Sequence, residues 1–362
     1  MKSFGILQYS LQHEKEYVSK LSEAGGALGF EIYRFVPTQL SSHHLRGLKY
    51  NQLQKNWVEI DFPVPNFIYD RCFHNGNCTA KETAFIKWLK TEADTTFLGH
   101  GLPGKWEVYK HLKRNALLNR HLPLSTKLQH HTCAKVVTDL LIDHAKLILK
   151  PSIGSQGNGL MMITKNPHQI DVQINHNGHI LHHTYDHTSS LLKMIKSVLK
   201  KRDYIAQQCL SLLDQNNRPF DRRVVMKKTS HATWEEIGRA TRVGNAKSFV
   251  SNLHSGGSIQ TDQQLLMPKD VFHQAEQKIS RLSHCVASFL EKDFHPLFEL
   301  GLDFGIDQSG KVWLLEANSK PGHKAIQSHR DYETIPFHYC HSLISEKKGV
   351  NHYERNTSIK KG

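Results

Sequence analysis

The stretch from Leu300 to Asn318 constrains this chain more than any other. Two strand-like runs, residues 298–306 and 311–316, flank Asp307-Gln308-Ser309-Gly310, so the segment reads as a β-hairpin. A four-residue turn pairs Ile306 with Lys311 and sets Asp303 opposite Leu314. Side chains alternate faces along a strand, which puts Leu314, Glu316 and Asn318 on the face that carries Asp303. Diagonal neighbours on one face lie ~7–8 Å apart. Carboxylate arms close that gap around a cation held by bonds of ~2.0–2.1 Å. Two carboxylates and an amide among apolar strands repel and desolvate one another unless a cation joins them. Oxygen-only ligands favour Mg2+ or Mn2+ over zinc. The competing reading is a solvated hairpin edge.

A second stretch is Lys150-Pro151-Ser152-Ile153-Gly154-Ser155-Gln156-Gly157-Asn158-Gly159. It follows a strand-like run at 146–150 and precedes another at 160–163. Glycines let backbone amides approach an anion and adopt positive φ. Lys150 adds a point charge suited to phosphate. This is not a P-loop, because the lysine precedes the glycines and a strand follows them. An ordinary glycine-rich hairpin would read the same way.

A third is the basic run Phe220-Asp221-Arg222-Arg223, followed by Gly238-Arg239-Ala240-Thr241-Arg242-Val243-Gly244 and a glycine-rich turn at 256–257. Arginines on strands converging there suit an oxyanion clamp, because a guanidinium binds oxyanions through two bonds. A salt-bridged sheet edge is the alternative for any single arginine.

Length and composition frame these motifs. The chain has 362 residues, 38% hydrophobic and 22% charged, which suits a large folded core. No apolar run approaches the ~20 residues that span a membrane. The first seven residues turn polar too soon for a signal peptide and read as a buried strand, so the expected location is cytoplasmic. Six cysteines form no disulfide framework, and Cys72, His74 and Cys78 lack a second ligand pair at zinc spacing. The net charge of +14, with 26 histidines counted neutral, favours anionic partners. Nothing but that charge supports nucleic acid, since no interleaved aromatic and basic module stands behind it.

Along the chain, strand and helix patterns alternate over the first hundred residues, predicting a small parallel α/β unit. Helical spacing runs through 105–119, and a long amphipathic helix is expected at 271–290. The expected units are an N-terminal domain at 1–100, subdomains at 101–210 and 211–330, and a C-terminal helix or tail at 331–362.

These stretches, in this order, resemble the ATP-grasp superfamily and, within it, the YheC/YheD-like, endospore coat-associated family. The resemblance covers residues 4–323 and is most specific at 150–159, 220–223, 242–257, Asp303 and Leu315-Glu316-Ala317-Asn318-Ser319-Lys320-Pro321-Gly322. It implies an α/β, more strictly α+β, ATP-grasp fold behind a Rossmann-like N-terminal domain. Lys105 and Lys150 are similar to the two ATP-binding lysines, and Gly154, Ser155, Gln156, Gly157 and Gly159 to the loop over the triphosphate. Gln207, Gln208, Cys209 and Leu210 resemble the hinge that receives adenine, although many relatives have an acid and a lysine there. Arg242 resembles the arginine facing the transferred phosphoryl group, and Asp303, Glu316 and Asn318 the ligands of two Mg2+ ions, or Mn2+, with Glu316 bridging.

The implied activity is activation of a carboxylate as an acyl phosphate, followed by attack of an amine, on a spore or cell-envelope component. Two alternatives stand beside it: a kinase-like phosphotransferase, and a nucleotide-binding, spore-coat-associated protein with little turnover. The implied location is accordingly cytoplasmic or at the spore coat. Neither the substrate pocket, expected near the N-terminal domain and residues 222–239, nor the histidines, His254 among them, carry a readable motif.

Overall fold

A short run buried on both faces, Phe4 to Leu7, starts the first sheet. The strand Lys2–Leu7 lies between Phe30–Phe35 and Phe67–Asp70, parallel to both, and Phe67–Asp70 pairs in parallel with Thr96–Phe97. Helix Lys15–Ala27 makes the first crossover and buries Tyr17, Val18 and Leu21. The structure, a computed structural model, describes residues 1–37, 40–41, 44–73, 78–154, 157–245, 249, 251, 256–260, 267–323 and 332–345. Ser155, Gln156, His74, His254 and the tail from 346 lie outside these residues.

The expected all-parallel unit is in fact mixed. An antiparallel hairpin, His44–Asn51 with Asn56–Pro63, extends the sheet beyond Phe30–Phe35. Its turn forms because the Asn51 side chain accepts from the amides of Leu53 and Gln54, a local turn geometry that apolar periodicity does not report.

The second sheet is antiparallel throughout. Among the described residues it runs His179–Tyr185, Ile170–His176, Met161–Lys165, Lys146–Pro151, Tyr204–Gln208 and Ser125–Leu128. Helices Cys133–His144 and Thr188–Leu199 pack on one face, burying Val137, Leu141, Leu191 and Ile195 with the sheet. The other face is left to the cleft.

The third sheet runs Ser258–Gln260, Trp234–Val243, Phe220–Lys228, Glu299–Ile306 and Val312–Asn318. Helix Lys269–Phe294 covers its core face, meeting Leu300, Leu302, Phe304, Val312 and Leu314. The helix expected at 105–119 is two: Lys105–Lys113, then Ala116–Asn119, because the Asn115 side chain accepts from Leu117 and Leu118 and starts a new N-terminus. A helix at 335–345 returns to the first sheet, with the ring of Phe337 4.7 Å from Phe4 and 5.1 Å from Phe30.

Candidate active site

Two one-residue shifts shape the hairpin at 299–318. The loop is longer by one than expected: Asp307 donates from its amide to the Lys311 carbonyl at 3.1 Å, and Ile306 pairs with Val312. A bulge then leaves Leu315 unpaired, so Phe304 faces Leu314 but Asp303 faces Glu316. The expected pair of Asp303 with Leu314 is therefore wrong, and Leu314 lies in the core. The two shifts cancel in parity. Val312, Leu314 and Ala317 go to the core, while Glu316 joins Asp303 on the cleft face and Asn318 faces Gly301. Bulges are frequent next to active sites for this reason, since they re-aim a side chain.

Charged groups gather over that face. Arg223, across from Asp303 on Phe220–Lys228, grips it with Nε and Nη2, the second at 2.8 Å. Arg242 Nη2 lies 2.9 Å from the same carboxylate and pairs through two bonds with Asp221. Burial pushes the Asp303 carboxyl up, yet Arg223 and Arg242 hold it below its ordinary value. Lys105 Nζ reaches Glu316 at 3.2 Å from the start of its helix. Lys150 stands nearby on Lys146–Pro151. Burial lowers its pKa to about 8; Glu316 opposes that shift and Lys105 adds to it. Of the remaining arginines in the basic run, Arg222 and Arg239 face helix Lys269–Phe294 instead, both pairing with Glu276, so that part of the expected clamp and pocket is structural. Arg223 is the cleft-facing residue that reading for a single phosphoryl-facing arginine misses; strand alternation separates it from Arg222 without saying which of the two faces the cleft.

The opposite wall is the second sheet. Gly154, Gly157 and Gly159 all have positive φ, at 131°, 72° and 77°. Tyr204 donates to the Gly159 carbonyl at 3.0 Å, and Asn175 Nδ2 to the Gly157 carbonyl at 3.0 Å, so the far half of the loop is tied down. Gln207 Nε2 donates to Ser125 at 2.8 Å, and Gln208 Oε1 accepts from the Leu124 amide at 3.1 Å. Both side chains thus reach the neighbouring segment, and the Gln208 backbone N–H donates to the Leu124 carbonyl at 3.0 Å. A cavity of about 2570 Å³ joins all of these: Lys105, Lys150, the described loop glycines 154 and 157, residues 207–210, Arg223, Arg242, Asp303, Glu316 and Asn318 line it. Gly159 is not among its lining residues but anchors the loop from behind.

A family model for YheC/D-like ATP-grasp proteins matches residues 94–343. The chain belongs to the YheC/D-like ATP-grasp family. It is 30% identical over 371 residues to endospore coat-associated protein YheC of Bacillus subtilis (strain 168), covering 97% of this chain and 99% of that protein. It is 24% identical over 316 residues to endospore coat-associated protein YheD of the same organism, covering 84% of this chain and 68% of that one. Solved structures repeat the architecture. D-cycloserine synthetase DcsG is similar with a TM-score of 0.60 and 10% identity, over 95% of this chain and 99% of that one. The D-alanine-D-alanine ligase of Coxiella burnetii is similar with a TM-score of 0.55 and 10% identity, over 99% and 100%. At such identities the likeness is one of fold, and the fold is ATP-grasp.

In this ATP-grasp chain the cleft-facing oxygens fit a cation. Asn318 Oδ1 is buried and takes part in no hydrogen bond among the described residues, an orphan that a hard metal ion would satisfy. Among the described residues no three His, Cys, Asp or Glu side chains gather into a metal site, so a cation here depends on two carboxylates and this amide. The described residues contain no helix long and apolar enough to cross a membrane.

Proposed function

We propose that this chain is an ATP- and Mg2+-dependent ligase that activates a carboxylate as an acyl phosphate and joins it to an amine. The observation that carries the reading is the conjunction, in one cavity, of Lys105, Lys150 and Arg242 with Asp303, Glu316 and the orphaned Asn318. Backbone groups of 207–210 would receive adenine, and the loop 154–159 would cover the triphosphate. Lys105 and Lys150 would neutralise phosphate oxygens, and Arg242, braced by Asp221, would face the transferred group. Asp303, Glu316 and Asn318 would hold Mg2+, which supplies charge neutralisation to phosphate oxygens when bound.

In the first step a substrate carboxylate oxygen attacks the γ-phosphorus, the bond to the bridging oxygen breaks and ADP leaves. In the second an amine nitrogen attacks the acyl carbon, the carbon–oxygen bond to phosphate breaks and the amine loses a proton. The two B. subtilis relatives are named for the endospore coat. We carry that association to this chain, and with it a substrate in the spore or cell envelope.

The test is ADP release and hydroxylamine trapping of the acyl phosphate, with candidate carboxylates and amines. Glu316→Ala is expected to lower turnover by ~10²–10³-fold, the scale for one transition-state contact. Turnover equal to the parent's would remove Glu316 from the mechanism. ADP release that needs no amine and leaves phosphate on a hydroxyl would replace ligation by phosphotransfer.

A further inference from the structure

Past the candidate metal strand the cleft continues along the first sheet. The Leu102 amide donates to Ser319 Oγ at 2.8 Å, which joins the two walls directly after Asn318. Asp70, Phe73, Ile86, Lys90, His100 and Lys320 line the cavity on this side. Lys320 stands two residues, at most ~7 Å of chain, beyond Asn318. It donates to Asp70 Oδ1 at 2.7 Å and to the Cys72 carbonyl at 2.8 Å. Burial pushes the Asp70 carboxyl up, yet Lys320 holds it below its ordinary value, so these two charges cancel.

Lys90 is the cation of this wall left without a carboxylate. It caps the C-terminus of helix Ala80–Leu89 and shares a face with Ile86, four residues earlier. Its Nζ donates to the His100 carbonyl at 3.2 Å, in an exposed bond, and lies 5.6 Å from the centroid of the Phe97 ring. Among the described residues no carboxylate pairs with it. Burial holds its pKa below the ordinary lysine value; Asp70 opposes that shift and Lys320 adds to it. Burial, then Lys90 and His295, hold His100 below its ordinary value too, so that ring brings no second charge at pH 7. A helix C-terminus carries only about half a negative charge, and one carbonyl takes one of three ammonium N–H groups. A partly buried ammonium with donors to spare on a cavity wall therefore favours an anion. The apolar side chains of Ile86 and Phe73 offer nothing to the further oxygens of an inorganic anion, whereas they suit the carbon chain of an organic carboxylate.

We infer that Lys90 anchors a carboxylate on the amine substrate, with the carbon chain of that substrate lying along Ile86 and Phe73. That the ligand is a substrate rests on the ligase reading; the carboxylate chemistry does not. In that reading the nucleotide takes the wall of 150–159 and 207–210, and the activated carboxylate meets the γ-phosphate beside Lys150 and Arg242. The lobe beyond Ser319 then falls to the amine, and the carboxylate at Lys90 is a second, non-reacting group. The substrate class is an amino carboxylate, such as an amino acid or the end of a peptide. The cavity of about 2570 Å³ exceeds the ~300–1,000 Å³ of an ordinary small-ligand pocket and has room for it beside a nucleotide.

The experiment titrates 6-aminohexanoate into the full chain carrying lysine 13C-labelled at Cε, with the Lys90 signal assigned through Lys90→Met. A saturable shift of that signal is expected, and 6-aminohexanamide, which lacks the carboxylate, should leave it in place. By calorimetry Lys90→Arg should keep the affinity. Lys90→Met should lose roughly five- to thirtyfold, between the worth of an exposed ion pair and that of a buried charged hydrogen bond. Thermal midpoints of both variants separate lost binding from lost folding. No shift up to the solubility limit overturns the inference. So does an equal shift with 6-aminohexanamide, undiminished affinity in Lys90→Met, or inorganic phosphate binding as tightly as 6-aminohexanoate. Adipate binding more tightly than 6-aminohexanoate beside the non-hydrolysable nucleotide AMP-PNP and Mg2+ would give the carboxylate to the donor and overturn the assignment to the amine substrate. AMP-PNP binding is read in the same samples. AMP-PNP binding without the Lys90 shift overturns this inference alone, and the Lys90 shift without AMP-PNP binding overturns the ligase reading alone.

Discussion

Arg71 is fully buried where the first sheet meets the third, and replacing it should be among the costliest single changes in this protein. Its guanidinium donates to Glu14 at 3.0 and 2.7 Å, to Glu299 at 2.5 Å and to the Pro321 carbonyl at 2.9 Å. Arg71→Met keeps a stem of similar length and removes every donor. Glu299, 3% exposed, then keeps the Tyr69 hydroxyl at 2.8 Å and Lys227 at 3.4 Å. Glu14 loses both bonds to the guanidinium. Removing one partner of a buried ion pair costs ~3–5 kcal/mol. The abandoned Pro321 carbonyl adds about 1 kcal/mol, and the contacts Glu299 retains offset a similar amount. The expected loss is therefore ~3–5 kcal/mol, read by urea denaturation at pH 7 from the fluorescence of the five tryptophans. Arg71→Met with Glu299→Gln should recover 1 kcal/mol or more relative to Arg71→Met alone, within the ~0.5–3 kcal/mol typical of coupled neighbours. A single variant that loses less than ~1 kcal/mol, or a double variant that recovers nothing, would show that the charge network does not carry the contact between the sheets.

Three further outcomes follow from the same geometry. Lys150 has a pKa of about 8 against an ordinary 10.5, so raising the pH through 8 discharges it. Calorimetric affinity for AMP-PNP with Mg2+ should fall by up to about tenfold per pH unit above that point, and Lys150→Arg should flatten the curve; an affinity constant from pH 7 to 9.5 would refute the role. The sign for folding is opposite: between pH 8 and 10.5 the unfolded chain holds the proton that the folded chain has lost, so this group makes the protein more stable as pH rises through that window. Gly159→Ala places a Cβ against the Arg202 guanidinium at φ 77° and should cost ~1–3 kcal/mol in urea while weakening AMP-PNP; unchanged stability would show that the loop does not need its left-handed turn. Gly25→Ala, in a helix where alanine is ordinarily better by ~0.5–1 kcal/mol, puts a Cβ 2.6 Å from Ile32 Cδ1 and against the Phe337 ring. It should destabilise by ~1–3 kcal/mol, and a variant as stable as the parent would mean that the helix at 335–345 packs loosely there.

The strands and loop of the proposed nucleotide site are legible in the sequence, and the seam between the first and third sheets is not, for one physical reason. Phosphates and hard cations are bound by backbone amides, point charges and oxygens that one loop or one strand supplies, so a site proposed at residues 150–159 or at 303–318 reads as a short local pattern. Even there the face shared by Asp303 and Glu316 was inferred from the wrong register, and it survives because the longer loop and the bulge at Leu315 shift the pairing by one residue each. Alternation separates Arg222 from Arg223 but does not say which of them meets helix Lys269–Phe294, because that depends on where Glu276 docks. At the seam no segment carries a pattern. Glu14 caps the start of a helix, Arg71 follows a strand, Glu299 begins another, and His323 and Tyr332 follow the last. Each is ordinary in its local setting. Only docking of the first sheet on the third stacks His323 on Tyr17, seats Arg71 between Glu14 and Glu299, and joins it to the carbonyl of Pro321 beside the candidate metal strand. Contacts of such long sequence separation cannot be spelled as a motif, so this seam is visible only once the two sheets are packed together.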